Sequence, residues 1–256
     1  VRLDRHKVTL QPLSLHWKGG GRLEAHGTYN LKGGKLDMEG HLWELPLRVL
    51  FSASPALREG LRGNLSGRFN LRGSESRPLV EAMMRVASVR LHGNRLGEGT
   101  ATLIPQDGAM RLRGSFFDRF QVDGLLHLSP RPRATLRLTF QDLAVHELIP
   151  EQRWLPGRAE IYASGRVEVT LDAEQGITRM EAVLTRLDAR LEQKDFMPGE
   201  APGHLALKND GTLRLLFDGR RLHLLQVRLQ GSTGTLALSG WIAEGDSNMK
   251  AEASIN

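Results

Sequence analysis

Few residue types that do chemistry stand at useful spacings in this chain. Its nine histidines never occur as His-x-His or His-x-x-x-His, the spacings that bring two imidazoles to one metal ion. With no cysteine, neither a disulfide framework nor a zinc-thiolate site can form. Gly63-Asn-Leu-Ser-Gly67 is similar to a nucleophile elbow, but its serine comes one place late for Gly-x-Ser-x-Gly, and no helical pattern follows. Gly19-Gly-Gly21 and Gly93-Asn-Arg-Leu-Gly-Glu-Gly99 lack both a phosphate-binding lysine and a helix to open, so they read as turns. Carboxylates such as Glu24 and Asp37 alternate with apolar neighbours, which suits a solvated strand face better than paired acid and base. The residues therefore point to a protein that is not an enzyme, with no cofactor and no metal.

The elements that would carry these residues are strands. Apolar side chains alternate with polar ones from end to end, the period of a strand with one face covered and one in water. Leu13, Leu15 and Trp17 begin it; Leu23, Ala25, Gly27, Tyr29 and Leu31 resume after the glycines; Leu36, Met38, Gly40 and Leu42 follow the Gly33-Gly34 turn. The pattern repeats in Leu61 to Leu71, Val80 to Leu91, Phe120 to Leu128, Leu136 to Phe140 and Leu236 to Ile242. About 16 strands are predicted. Asp107-Gly108 and Asp210-Gly211 read as hairpin turns, and Ser129-Pro-Arg-Pro132 and Gly245-Asp-Ser-Asn248 as looser connections. Helical periodicity is confined to Leu45 to Arg58 and Leu143 to Trp154, each a short helix or a crossing loop. The expected fold is thus all-β, a long twisted, mostly antiparallel sheet with one or two short helical or crossing segments.

An internal repeat runs through this pattern. Leu45, Leu47 and Leu50 precede Ser66-Gly67-Arg68 as Leu143, Val145 and Leu148 precede Ser164-Gly165-Arg166, 98 positions later. Arg90-Leu91 likewise matches Arg190-Leu191, and Asp107-Gly108 matches Asp210-Gly211. The unit is about 100 residues, spanning approximately 23–119 and 120–235 with a partial copy at 236–256, in one continuous segment 1–256. The inward Gly27, Gly124 and Gly240 mark a strand kink or bulge, or a place where side-chain bulk is removed for a passing guest.

Such an array has no series of amphipathic helices to cover its apolar face. A sheet of this many strands twists and curls, and its inner face becomes either a dry core or an open hydrophobic groove. With aromatics at 5% and leucine, valine and alanine dominant, the lining is aliphatic and suits hydrocarbon. The net charge of +6 comes from basic residues set singly among apolar ones, such as Arg133, Arg137 and Arg166. That dispersion fits a solvated face, with a weak pull toward anionic headgroups, and not a nucleic-acid partner. No run of about 18 apolar residues and no leader pattern occurs. Starting at Val1 and ending in mid-pattern, the chain reads as an excerpt of a longer protein.

Leu45-Pro46-Leu47, then Gly60-Leu-Arg-Gly-Asn-Leu-Ser-Gly-Arg-Phe-Asn-Leu-Arg-Gly73, Pro78 and a new strand to Leu91 resemble a TamB-type repeat of the AsmA-like superfamily. Leu236-Ala-Leu-Ser-Gly-Trp-Ile242 resembles the strand opening the next one. The likeness spans nearly the whole chain and rests on pattern, not on invariant chemistry. It implies a curled β-groove (a β-taco, or repeating β-groove) in the periplasm of a Gram-negative bacterium, anchored in the inner membrane by a segment not present here. It further implies intermembrane transport of phospholipid for outer-membrane biogenesis, with both membranes reached through regions outside this segment. Under that likeness the inward residues Leu23, Ala25, Tyr29, Leu36, Met38, Leu65, Phe69, Leu71, Phe120, Val122, Leu126, Leu128, Leu136, Leu138, Phe140, Val167, Val169, Leu171, Leu236, Leu238 and Ile242 line a lipid groove; by alternation alone they are equally a self-packed core. Two alternatives stand beside it: an assembly scaffold that offers a sheet edge to an outer-membrane protein partner, and a carbohydrate-active β-helix enzyme, disfavoured because carboxylates and aromatics are not clustered.

Overall fold

A computed structural model describes residues 2–50, 60–74, 77–128, 131–148, 158–192, 204–232, 234–243 and 245–255. The fold is all-β, as the alternation predicts, and its contacts divide it into two compact units, 1–134 and 135–256. In the first unit β1 (Arg2–Asp4), β2 (Lys7–His16), β3 (Arg22–Asn30), β4 (Lys35–Pro46), β5 (Leu61–Ser74), β6 (Arg77–Leu91), β7 (Asn94–Gln106), β8 (Ala109–Phe116) and β9 (Phe120–His127) form an antiparallel meander. Each strand pairs with the one before it, so short turns suffice except between β4 and β5, where residues 47–60 intervene. Asp107 and Gly108 both have positive φ, 48° and 77°, and close a two-residue hairpin between Gln106 and Ala109.

The second unit contains β10 (Arg133–Ala144), which begins at the boundary, then β11 (Arg158–Asp172), β12 (Gly176–Glu192), β13 (His204–Asn209), β14 (Leu213–Phe217), β15 (Leu222–Gly231), β16 (Gly234–Ala243) and β17 (Asp246–Ile255). Asp210-Gly211 is not the hairpin turn its sequence suggests. Both β13 and β14 run antiparallel to β12 on one side and to β15 on the other, so they are two halves of one interrupted lane. An interruption leaves ladder groups of the neighbouring strand without partners, and Asn209 supplies them. The Leu187 N–H donates to Asn209 Oδ1 at 2.7 Å, while Asn209 Nδ2 donates to the carbonyls of Thr185, at 3.1 Å, and Gly211. Asp210 returns to the ladder through its N–H, 2.9 Å from the Arg228 carbonyl. Truncation by Asn209→Ala strands the half-buried Leu187 N–H and is expected to cost about 1–3 kcal/mol in urea unfolding of the full chain. A loss within experimental error would show that the amide is not what splices the lane.

Gly245-Asp-Ser-Asn248 also departs from expectation. Gly245, at φ 75°, supplies the left-handed residue of a tight connection in which Ala243 faces Asp246, and Asp246, Ser247 and Asn248 belong to β17. Ser129 and Pro130 lie outside the described residues, as do 51–59 and 149–157. Of the two helical stretches, Leu45-Pro46 and Leu143-Ala144 instead end β4 and β10, and the described helical turns are α1 (Leu47–Leu50) and α2 (Val145–Leu148).

Each helical turn follows the same corner. Glu44 takes φ 48° beside a register shift between Leu42 and Leu45, and its N–H, which the bulge removes from the ladder, donates to Ser66 Oγ at 2.9 Å. In the other unit Asp142, at φ 46°, donates its N–H to Ser164 Oγ at 2.9 Å. The serines stand 98 positions apart, and so do their donors. Behind the first corner sits the one cluster of buried apolar side chains found among the described residues, Leu45, Leu47, Leu65 and Val89, flanked by Trp17, Met84, Val86, Leu96 and Phe117.

Candidate functional site

The register shows how far the apolar alternation carries across each unit. Partners in adjacent strands project to the same face. In the first unit Leu13, Ala25, Gly40, Phe69, Ala82, Leu103, Leu112 and Gly124 stand abreast across β2 to β9. Leu15, Leu23, Leu42, Gly67, Met84, Ala101, Gly114 and Val122 form the next row, with no polar side chain in either. Tyr29 faces Leu36, Met38 faces Leu71, Leu65 faces Leu45, Phe120 faces Phe116 and Leu126 faces Met110, all on this same side.

In the second unit Val167, Ala182, Leu215, Leu224, Gly240 and Met249 are abreast, beside the row Val169, Met180, Phe217, Leu222 and Ile242. Leu238 and Leu236 continue this face opposite Val227 and Leu229. Leu136, Leu138 and Phe140 belong to it by exclusion: the intervening Arg137 reaches 3.0 Å to Glu168, which stands in a row on the opposite face with Glu181, Leu216, His223 and Trp241.

Three proposed positions fit less well. Leu128 follows the last residue of β9 and is 39% exposed, so the alternation outruns the ladder there. Ile242 lies in its row but is 43% exposed, because the next strand offers it only Ser247. Leu171 comes after a register shift and faces the exposed Ile177.

This apolar face is only partly covered. Of the 21 residues read from the sequence, Ala25, Leu65, Phe140 and Val169 alone are buried. A Cβ on Gly27 or Gly240 would collide with the backbone of the adjacent strand, at Asp37 and Met38 or at Asn248. Each lies opposite a register shift, between Leu10 and Leu13 or between Leu224 and Val227, so the kink reading holds at both. Gly124 is buried and faces Leu112.

Sequence reasoning did not select Met84, Leu103, Leu112, Leu215 or Leu224. For two of these a signal exists: a two-residue hairpin at Asp107-Gly108 pairs Leu103 with Leu112 by counting outward. Met84 has one as well: it is in phase with Val80, Ala82 and Val86, whereas Met83 is in phase with Glu81 and Arg85 and is 51% exposed.

The opposite face is polar and internally neutralised at many points. Arg111 donates to Asp123 at 2.7 Å, Arg72 lies 3.5 Å from Asp37, and Arg214 donates to Glu181 at 3.0 Å. The Arg214 hydrogen bond holds the Glu181 carboxyl below its ordinary value. Asp218 is held well below the carboxylate range by its hydrogen bond with His223 and then by the backbone N–H groups of Arg221 and Arg220. That turn sets Arg221 over the Trp241 ring, 4.1 Å from its centroid, which shields an outward aromatic. Shallow clefts also lie on this side. One of about 510 Å³ is framed by the alternate residues Glu39, His41, Arg68, Asn70, Glu81, Met83, Thr102 and Ile104, and none brings a nucleophile to a base. Among the described residues no group of three or more His, Asp or Glu side chains is placed to hold a metal ion. No described helix is long and apolar enough to cross a membrane. Compared with known proteins, the chain matches no family model, no curated protein and no solved structure.

Proposed function

We propose that the apolar face of each unit is the wall of a groove that shields phospholipid acyl chains, in a non-enzymatic, AsmA-like, TamB-type protein that moves lipid between the inner and outer membranes. One observation carries this reading: an aliphatic face, continuous in register across eight strands of the first unit, whose side chains are mostly left half-exposed. A sandwich core covers such side chains; a wall for a mobile guest leaves them available.

Hydration of an acyl chain costs about 0.8 kcal/mol per methylene, which an unbroken apolar surface removes. Rows without polar side chains offer a sliding tail no fixed stopping point. Charges on the outer face keep the same strands wetted on their other side.

The reading is tested by placing a photo-crosslinker at Leu126 or Leu138 in cells and analysing the adducts by mass spectrometry. Phospholipid adducts are expected there and not at the adjacent outward positions His127 and Arg137. Equal yields at inward and outward positions would reject the wall, and adducts to an outer-membrane protein in place of lipid would turn the assignment to an assembly scaffold.

A further inference from the structure

One rung on the outer face of the first unit sets like charge against like charge. Arg62 of β5 stands opposite Arg90 of β6, which stands opposite Arg95 of β7. Like charges directly across adjacent strands repel. Among the described residues Arg90 and Arg95 form no ion pair, whereas Arg85, two lanes of side chains further in, is paired with Glu98. The rung is not a requirement of the repeat. At the matching place in the second unit, Arg190 faces Glu160 on one side and Ala206 on the other. One copy thus holds an ordinary cross-strand pair where the other holds three arginines.

Position adds a second argument. The rung lies one residue inside the strand ends, since β5 begins at Leu61, β6 ends at Leu91 and β7 begins at Asn94. Leu61 and Leu91 face each other in the adjacent register position and are half-buried on the apolar side. Guanidinium groups and an apolar pair therefore meet along one strand-end border, the polarity step of a lipid at the junction of headgroup and tail. Arginine forks suit phosphate oxygens, which accept paired N–H bonds.

We propose that Arg90 and Arg95, in register with Arg62, bind the phosphate of a phospholipid headgroup. The choice of phospholipid over other phosphates rests on the acyl-wall reading; the anion site itself does not.

The test is flotation of the full chain with vesicles of phosphatidylcholine alone and of phosphatidylcholine mixed with an equal part of phosphatidylglycerol, at about 0.15 M salt, where distant charges are screened. The wild-type chain is expected to float with the mixed vesicles. Arg90→Gln/Arg95→Gln should weaken this roughly thirtyfold, at about fivefold per basic residue near an anionic surface. Lys32→Gln/Lys35→Gln, which removes the same charge at the other end of the strands, should change it about twofold or less. Equal weakening by both pairs would overturn the site in favour of diffuse attraction. Calorimetry with inorganic phosphate forms the other arm: phosphate binding lost in the arginine pair while flotation is unaltered would overturn the lipid source. Failure of the wall is distinguishable, because it would abolish adducts at Leu126 and leave arginine-dependent flotation intact.

Discussion

Leu138→Arg is expected to fold normally and to carry almost no lipid. Leu138 lies on β10 between the outward Arg137 and Thr139, on the apolar face, and is only half-buried. An arginine there has space for its stem, so unfolding free energy should change by no more than about 0.5 kcal/mol, as for ordinary surface positions. The cost falls on the guest. A guanidinium in hydrocarbon costs about 2.5–3.5 kcal/mol, which corresponds to about a hundredfold loss of lipid held at that point. Thermal melting and lipidomic analysis of the purified variant read the two effects separately. Undiminished lipid, or a large drop in melting temperature, would mean that Leu138 is packed core.

The opposite profile is expected for Leu47→Ala. Leu47 is 5% exposed, sits on α1 within the cluster of Leu45, Leu65 and Val89, and lies over Gly63, where an added Cβ would come within 3.1 Å of Leu47 Cδ1. Removing a buried leucine side chain costs about 2–5 kcal/mol, including the cavity left behind. A fall of that size in urea unfolding of the first unit, with lipid adducts at Leu126 retained under native conditions, would separate what holds the corner together from what faces a guest. A change under about 1 kcal/mol would show that the cluster collapses around the gap.

The contrast explains which features were readable in the chain. A period of two is local, so Leu23, Ala25, Phe69 and Val122 declare their shared face without knowledge of their neighbours. Where two apolar residues are adjacent, as at Met83-Met84 and Leu125-Leu126, the choice rests on the phase of the flanking run, which a bulge would reverse. The Asp-Gly signal failed at Asp210 for a related reason. A turn dipeptide reports backbone preference, while hairpin or interruption depends on which lanes lie alongside, and there Asn209 satisfies β12 in place of a continuous strand. Leu128 misled because hydrophobic rhythm persists past the point where pairing stops. The three-arginine rung stayed hidden because Arg62, Arg90 and Arg95 are unremarkable in sequence and meet only through two separate strand pairings.

The serine that secures each corner has a wider consequence. Ser66 and Ser164 hold Glu44 and Asp142 by one short bond apiece, with both partners drawn from the same stretch of chain. A bend fastened from within asks nothing of distant sequence. Duplicating or deleting such a module leaves every remaining latch intact, so the number of corners follows the number of repeats in the chain and not newly evolved contacts.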